Sequence, residues 1–97
     1  MTTMANARAK AVESDYAEPV GEFLAEELEA RGMTQKALAE AMGRPAKVVN
    51  EIVGGKKSIT ADTALQLEAV LGISALTWLN MQARHDLVQA RARMRAS

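Results

Sequence analysis

From Val20 onward the apolar residues of this chain recur at three- and four-residue spacing, in runs separated by single glycines. That period stacks them on one side of an α-helix, so the pattern predicts helices throughout. Val20 to Arg31 carries Phe23, Leu24 and Leu28 on one face and Glu22, Glu26, Glu27 and Glu29 largely on the other. Gly32 and Gly43 each follow such a run, where glycine enters the left-handed region without penalty. Between them, Thr34 is placed to cap a short helix over Gln35 to Met42, with Met33 and Leu38 at the spacing of a hydrophobic staple. Pro45 suits the first position of the next helix, which runs to about Val53 and ends at Gly54 and Gly55. Thr60 caps a fourth, Ala61 to Leu71, where Leu65, Leu67, Val70 and Leu71 give a broad apolar surface and Asp62 favours the dipole. After Gly72, Ser74 caps a fifth from Ala75 to about Met94, with Ile73 and Trp78 stapling its start. On this last helix Leu76, Leu79, Ala83 and Leu87 form one stripe, and Trp78, Met81 and Gln82 lie off it.

The most informative stretch is Thr34 to Lys57. Ala39 stands four residues before Gly43, with Val49 six residues beyond the glycine and Ile52 three further on. Leu38, Met42, Val49 and Ile52 would face inward, and a methyl-sized side chain at 39 lets two helices cross steeply at close range. These offsets are those of a helix-turn-helix.

With those residues in hand, the run from Gly21 to Leu87 resembles the antitoxins of the HigA family, small helix-turn-helix proteins related to phage repressors. The segments NEIVGGK, ITADTALQLE and WLNMQ carry the likeness most specifically. The resemblance implies an all-α, five-helix, phage-repressor-like helix-turn-helix domain, here over 19–97; the alanine-rich residues 1–18, set off by Pro19, are expected as a flexible N-terminal arm, disordered or partly helical. It also implies a protein toxin as partner and repression of the operon encoding both.

Composition sets further bounds. Ninety-seven residues make one domain, and the absence of cysteine removes disulfides and thiolate chemistry. No apolar run reaches the roughly 20 residues needed to span a bilayer, and the N-terminus lacks the apolar centre of a signal peptide. A soluble, cytoplasmic protein without membrane association is expected. The net charge of zero hides an uneven distribution. Glu13, Asp15, Glu18, Glu22, Glu26, Glu27 and Glu29 form an acidic stretch without Lys or Arg, whereas Arg44, Lys47, Lys56 and Lys57 are offset between them by Glu51 alone. An RNA-cleaving toxin would be basic, which makes the acidic stretch an electrostatically suitable contact for it. As a structural feature, the same stretch is a solvated helix face.

In a helix-turn-helix the second helix enters the major groove and the first straddles the backbone. With Val49 and Ile52 turned inward, Ala46, Lys47 and Asn50 face the groove, flanked by Val48 and Glu51. Lys47 suits guanine O6 or N7, Asn50 an adenine edge, and Ala46 and Val48 a thymine methyl. Gln35, Arg44, Lys56 and Lys57 are placed for phosphate, which adds affinity without sequence information. Relatives often have Thr or Ser at the position of Val48, and an apolar residue followed by a Ser or Thr cap at Arg44 and Pro45, so base preference should differ here.

A module this small reads few base pairs alone, so a homodimer on an operator with two half-sites roughly 34 Å apart is expected. The off-stripe face of the last helix, with Trp78, Met81, Gln82 and His85, is the expected dimer interface, although Trp78 equally fits a core residue. His85 is the only histidine and has no metal spacing or triad around it, so neither an enzyme nor a cofactor is expected. Two other functions fit the residues: a phage-type repressor without a toxin, and an interaction adaptor that has lost DNA binding.

Overall fold

The computed structural model describes residues 17–96, which hold five α-helices and no strand. We number them α1 (Val20–Arg31), α2 (Gln35–Met42), α3 (Ala46–Val53), α4 (Ala61–Leu71) and α5 (Ala75–Ala96). All but the last two residues of the expected arm, Ala17 and Glu18, lie outside the described residues.

The expected caps are present. Thr34 Oγ1 accepts from the Ala37 N–H at 3.0 Å, Thr60 Oγ1 from Thr63 at 3.3 Å, and Ser74 Oγ from Thr77 at 3.1 Å. Each satisfies one of the N–H groups that the first turn of a helix leaves without a partner. At the other end of α2, Gly43 takes φ 71° and the Arg44 N–H turns back to the Ala39 carbonyl at 2.9 Å. Pro45 sits one residue earlier than expected: it is the N-cap of α3, with ψ 147°, and α3 begins at Ala46. A proline in that place offers no side-chain oxygen, and α3 has no side-chain cap.

Helices α2 and α3 pack against each other, α1 lies on α3, α4 on α2, and α5 closes the bundle against α4 and α1. Leu24, Leu28, Leu38, Ala39, Val49, Ile52, Ile59, Ala64, Leu67, Leu71 and Trp78 make the buried centre. Ala39 is buried as its role at the crossing requires. A second close approach was not legible in the spacing. Gly21, buried in the first turn of α1, lies directly over the carbonyls of Ile52 and Val53 at the end of α3.

Two expectations are overturned. Leu65 is 57% exposed, so the apolar surface of α4 that enters the core is Leu67 and Leu71, with Ala64 and a half-buried Val70. More consequentially, α5 is rotated by about half a turn from the orientation its leucine stripe suggested. Trp78 is fully buried, while Leu76 is 66% and Leu87 52% exposed. Indole burial explains the choice: it hides more apolar area than a leucine, meets Phe23 edge-on with ring centroids 5.4 Å apart, and gives its Nε1–H to the Ile73 carbonyl at 3.1 Å.

A Gly21→Ala substitution should test the packing of α1 on α3. Its Cβ would collide with fixed main-chain oxygens rather than a flexible side chain. The expected loss is about 1–3 kcal/mol in urea unfolding, with a lowered midpoint and an unchanged slope.

Candidate nucleic-acid interface

Helix α3 presents its exposed face because its buried face is fixed twice, by α2 across the Gly43 turn and by α1 through Gly21. Val49 and Ile52 point into the core, and at about 100° per residue this leaves Ala46, Lys47 and Asn50 on the outside. All three are exposed, as expected from the sequence. Val48 departs from that group: it is half-buried and packs against the core, which limits what its methyls offer a thymine.

The polar side chains are already arranged before any ligand arrives. Asn50 Nδ2 donates to Gln35 Oε1 at 3.4 Å, a long bond that links the start of α2 to the middle of α3. It leaves the Asn50 carbonyl oxygen and one amide hydrogen free of this contact, the acceptor and donor that an adenine edge requires. Lys47 extends into solvent with its side chain 81% exposed and Nζ 4.0 Å from Glu51 Oε2. A pair so exposed contributes little, and Lys47 can leave it for a base or phosphate at small cost.

Arg44 is more constrained than the sequence implied. Its guanidinium donates to Gln66 Oε1 on α4 at 2.9 Å in a partly buried contact. The remaining N–H groups of the fork can still meet a phosphate, now from a fixed position. Gln66 is thus a supporting residue that spacing did not single out; its only signal is an amide between Leu65 and Leu67. Lys56 and Lys57 are exposed in the loop after α3. Lys57 also borders a cleft of about 370 Å³ between the start of α1, this loop and α5, opposite His85 and Asp86.

The four residues expected at a dimer contact lie on the inward side of α5. Trp78 belongs to the core, and Met81 packs against it. Gln82 accepts from the Ile59 N–H at 2.9 Å and donates to Asp86 Oδ1 at 3.0 Å, so it ties α5 to the loop before α4. His85 is half-buried along the cleft.

The helix-turn-helix family model matches residues 24–78, the span from α1 to the buried Trp78. Virulence-associated protein I of Dichelobacter nodosus is 46% identical over 71 residues, 72% of this chain and 66% of that protein. Antitoxin HigA-1 of Vibrio cholerae serotype O1 is 45% identical over 75 residues, covering 76% of this chain and 70% of the relative. The chain belongs to the HigA family of helix-turn-helix antitoxins. Its fold agrees: the Pseudomonas aeruginosa antitoxin HigA, solved with the higBA promoter, superposes with a TM-score of 0.77 at 34% identity, over 80% of this chain and 86% of that one.

Away from α3, this HigA-family chain carries an acidic edge on α1. Loss of hydration, the charge and hydrogen bond of Glu26, and the charge of Glu22 raise the Glu18 carboxyl above its ordinary pKa. The folded protein therefore holds this proton more tightly than the unfolded chain. Stability contributed by the protonated form is present at low pH and is lost as pH rises through the ordinary carboxylate range and just beyond it. A Glu18→Gln variant should melt slightly higher than the parent at neutral pH, and the difference should vanish in acid. Thermal unfolding followed by circular dichroism across that range measures it.

Proposed function

We propose that this protein is the antitoxin of a toxin–antitoxin module and the repressor of its own operon. In this reading a homodimer lays α3 of each subunit into the major groove of one operator half-site, and the same protein neutralises a ribonuclease-type toxin. It works in the cytoplasm, where the operator and the toxin both are. The observation that carries the reading is the exposed Ala46–Lys47–Asn50 face, braced from behind by two helices and pre-ordered by Gln35. The relative solved with its promoter supports it from outside the chain.

Roles divide by position. Lys47 and Asn50 are the base-reading residues, Ala46 and the edge of Val48 meet thymine methyls, and Gln35, Arg44, Lys56 and Lys57 hold the phosphate backbone. The acidic stretch Glu13, Asp15, Glu18, Glu22, Glu26, Glu27 and Glu29 is the surface for a basic toxin.

Electrophoretic mobility shift with the DNA upstream of the gene tests the first half. Lys47→Ala and Asn50→Ala should each cost about 1–3 kcal/mol and relax preference at one base position. Lys56→Ala should weaken all sequences alike and flatten the salt dependence by about one unit of slope. Binding that competitor DNA abolishes, with no change on removing Asn50, would reject sequence-specific repression.

For the second half, deletion of residues 1–18 should weaken toxin binding more than operator binding, measured by calorimetry with the product of the adjacent reading frame. Equal loss of both would reject separate surfaces for the two partners.

A further inference from the structure

We propose that the cleft between the start of α1, the loop after α3 and α5 is a binding site for a small phosphate monoester, of the size and chemistry of a sugar phosphate. Its volume of about 370 Å³ lies within the range of pockets that hold small molecules and exceeds what a bare phosphate fills. Separate segments supply its walls. Lys57 comes from the loop, and His85, Gln89 and Arg93 come from α5, where four-residue steps put them on successive turns of one face. Pro19 and Ile52 give the cleft an apolar side.

The polar groups at the cleft are mostly donors. The Lys57 ammonium and the Arg93 guanidinium are cationic and can only donate, and the Gln89 amide and the His85 ring each carry N–H as well. Among the described residues Asp86 is the one acid at the cleft, and its Oδ1 is already engaged by Gln82 Nε2 at 3.0 Å. Neither the Lys57 ammonium nor the His85 ring has a polar partner of its own among the described residues. An occupant that satisfies them must be anionic and present several acceptor oxygens in a small volume, as a phosphate does. The second oxygen of Asp86 and the apolar side suit a hydroxyl-bearing carbon skeleton joined to that phosphate.

A phosphate of the DNA backbone is the competing occupant, and the geometry disfavours it. Ile52, which lines the cleft, lies on the buried side of α3, about 140° round the helix from Lys47 and about 160° from Asn50. A duplex held on the Lys47 and Asn50 face would have to pass round that helix to enter, whereas a free small molecule need not. The inference does not rest on the operator reading, although both call on Lys57.

Isothermal titration calorimetry of the full chain without DNA, at fixed ionic strength, should show saturable binding of ribose 5-phosphate. Inorganic phosphate, which lacks the carbon skeleton, should bind about tenfold more weakly, and ribose, which lacks the charge, should not bind. Lys57→Ala and His85→Ala should each weaken ribose 5-phosphate about tenfold, Lys57→Arg should keep most of the affinity, and Lys36→Ala, at an exposed site on α2, should leave it unchanged. None of these side chains belongs to the buried core, so the circular dichroism spectra should match that of the parent. No saturable binding, equal binding of ribose and ribose 5-phosphate, or a loss in Lys36→Ala as large as that in Lys57→Ala overturns the site, and equal binding of inorganic phosphate overturns the monoester. Failure of operator binding while the sugar phosphate still binds would count against the proposed function alone.

Discussion

The placement of α3 depends on a contact between main-chain atoms. Where α1 begins, Gly21 rests on the last two carbonyls of α3, and no other residue type leaves room for that approach. A helix of eight residues has little stability alone and no fixed direction. Its direction comes from being held on one side by α2, through Ala39 and the Gly43 turn, and on another by α1. Once both are in place, the exposed face of α3 is determined, and with it the positions of Lys47 and Asn50.

The same logic extends outward through polar contacts that each join two elements. Gln35 reaches from α2 to Asn50, Gln66 from α4 to Arg44, and Gln82 from α5 to the backbone of Ile59. Three glutamines thus join segments that are distant along the chain. Each has a carbonyl oxygen that accepts from a donor on another segment, which orients that segment at modest energetic cost.

Much of this was legible in the residues. Helix boundaries followed from Thr34, Thr60, Ser74 and the glycines, because capping and left-handed turns are local chemistry that a sequence states directly. The inward positions of α3 followed from the offsets of Ala39, Gly43, Val49 and Ile52. What spacing did not supply were facts about distant partners: that Gly21 lies under α3, that Gln66 holds Arg44, and which face of α5 is buried. Helix α5 has two apolar faces, and periodicity reports their existence without ranking them. The ranking was decided by Phe23 on α1 and by the Ile59 N–H, neither of which is near α5 in the chain.

The burial of Trp78 has a practical consequence. It is the sole tryptophan, sealed from solvent, with its ring against Phe23 and its N–H engaged by a carbonyl. Its ultraviolet emission therefore reports on the integrity of the α1–α5 junction. Loss of that signal in a variant would indicate a damaged interior, whereas a variant that keeps it but no longer holds DNA has been altered at the surface.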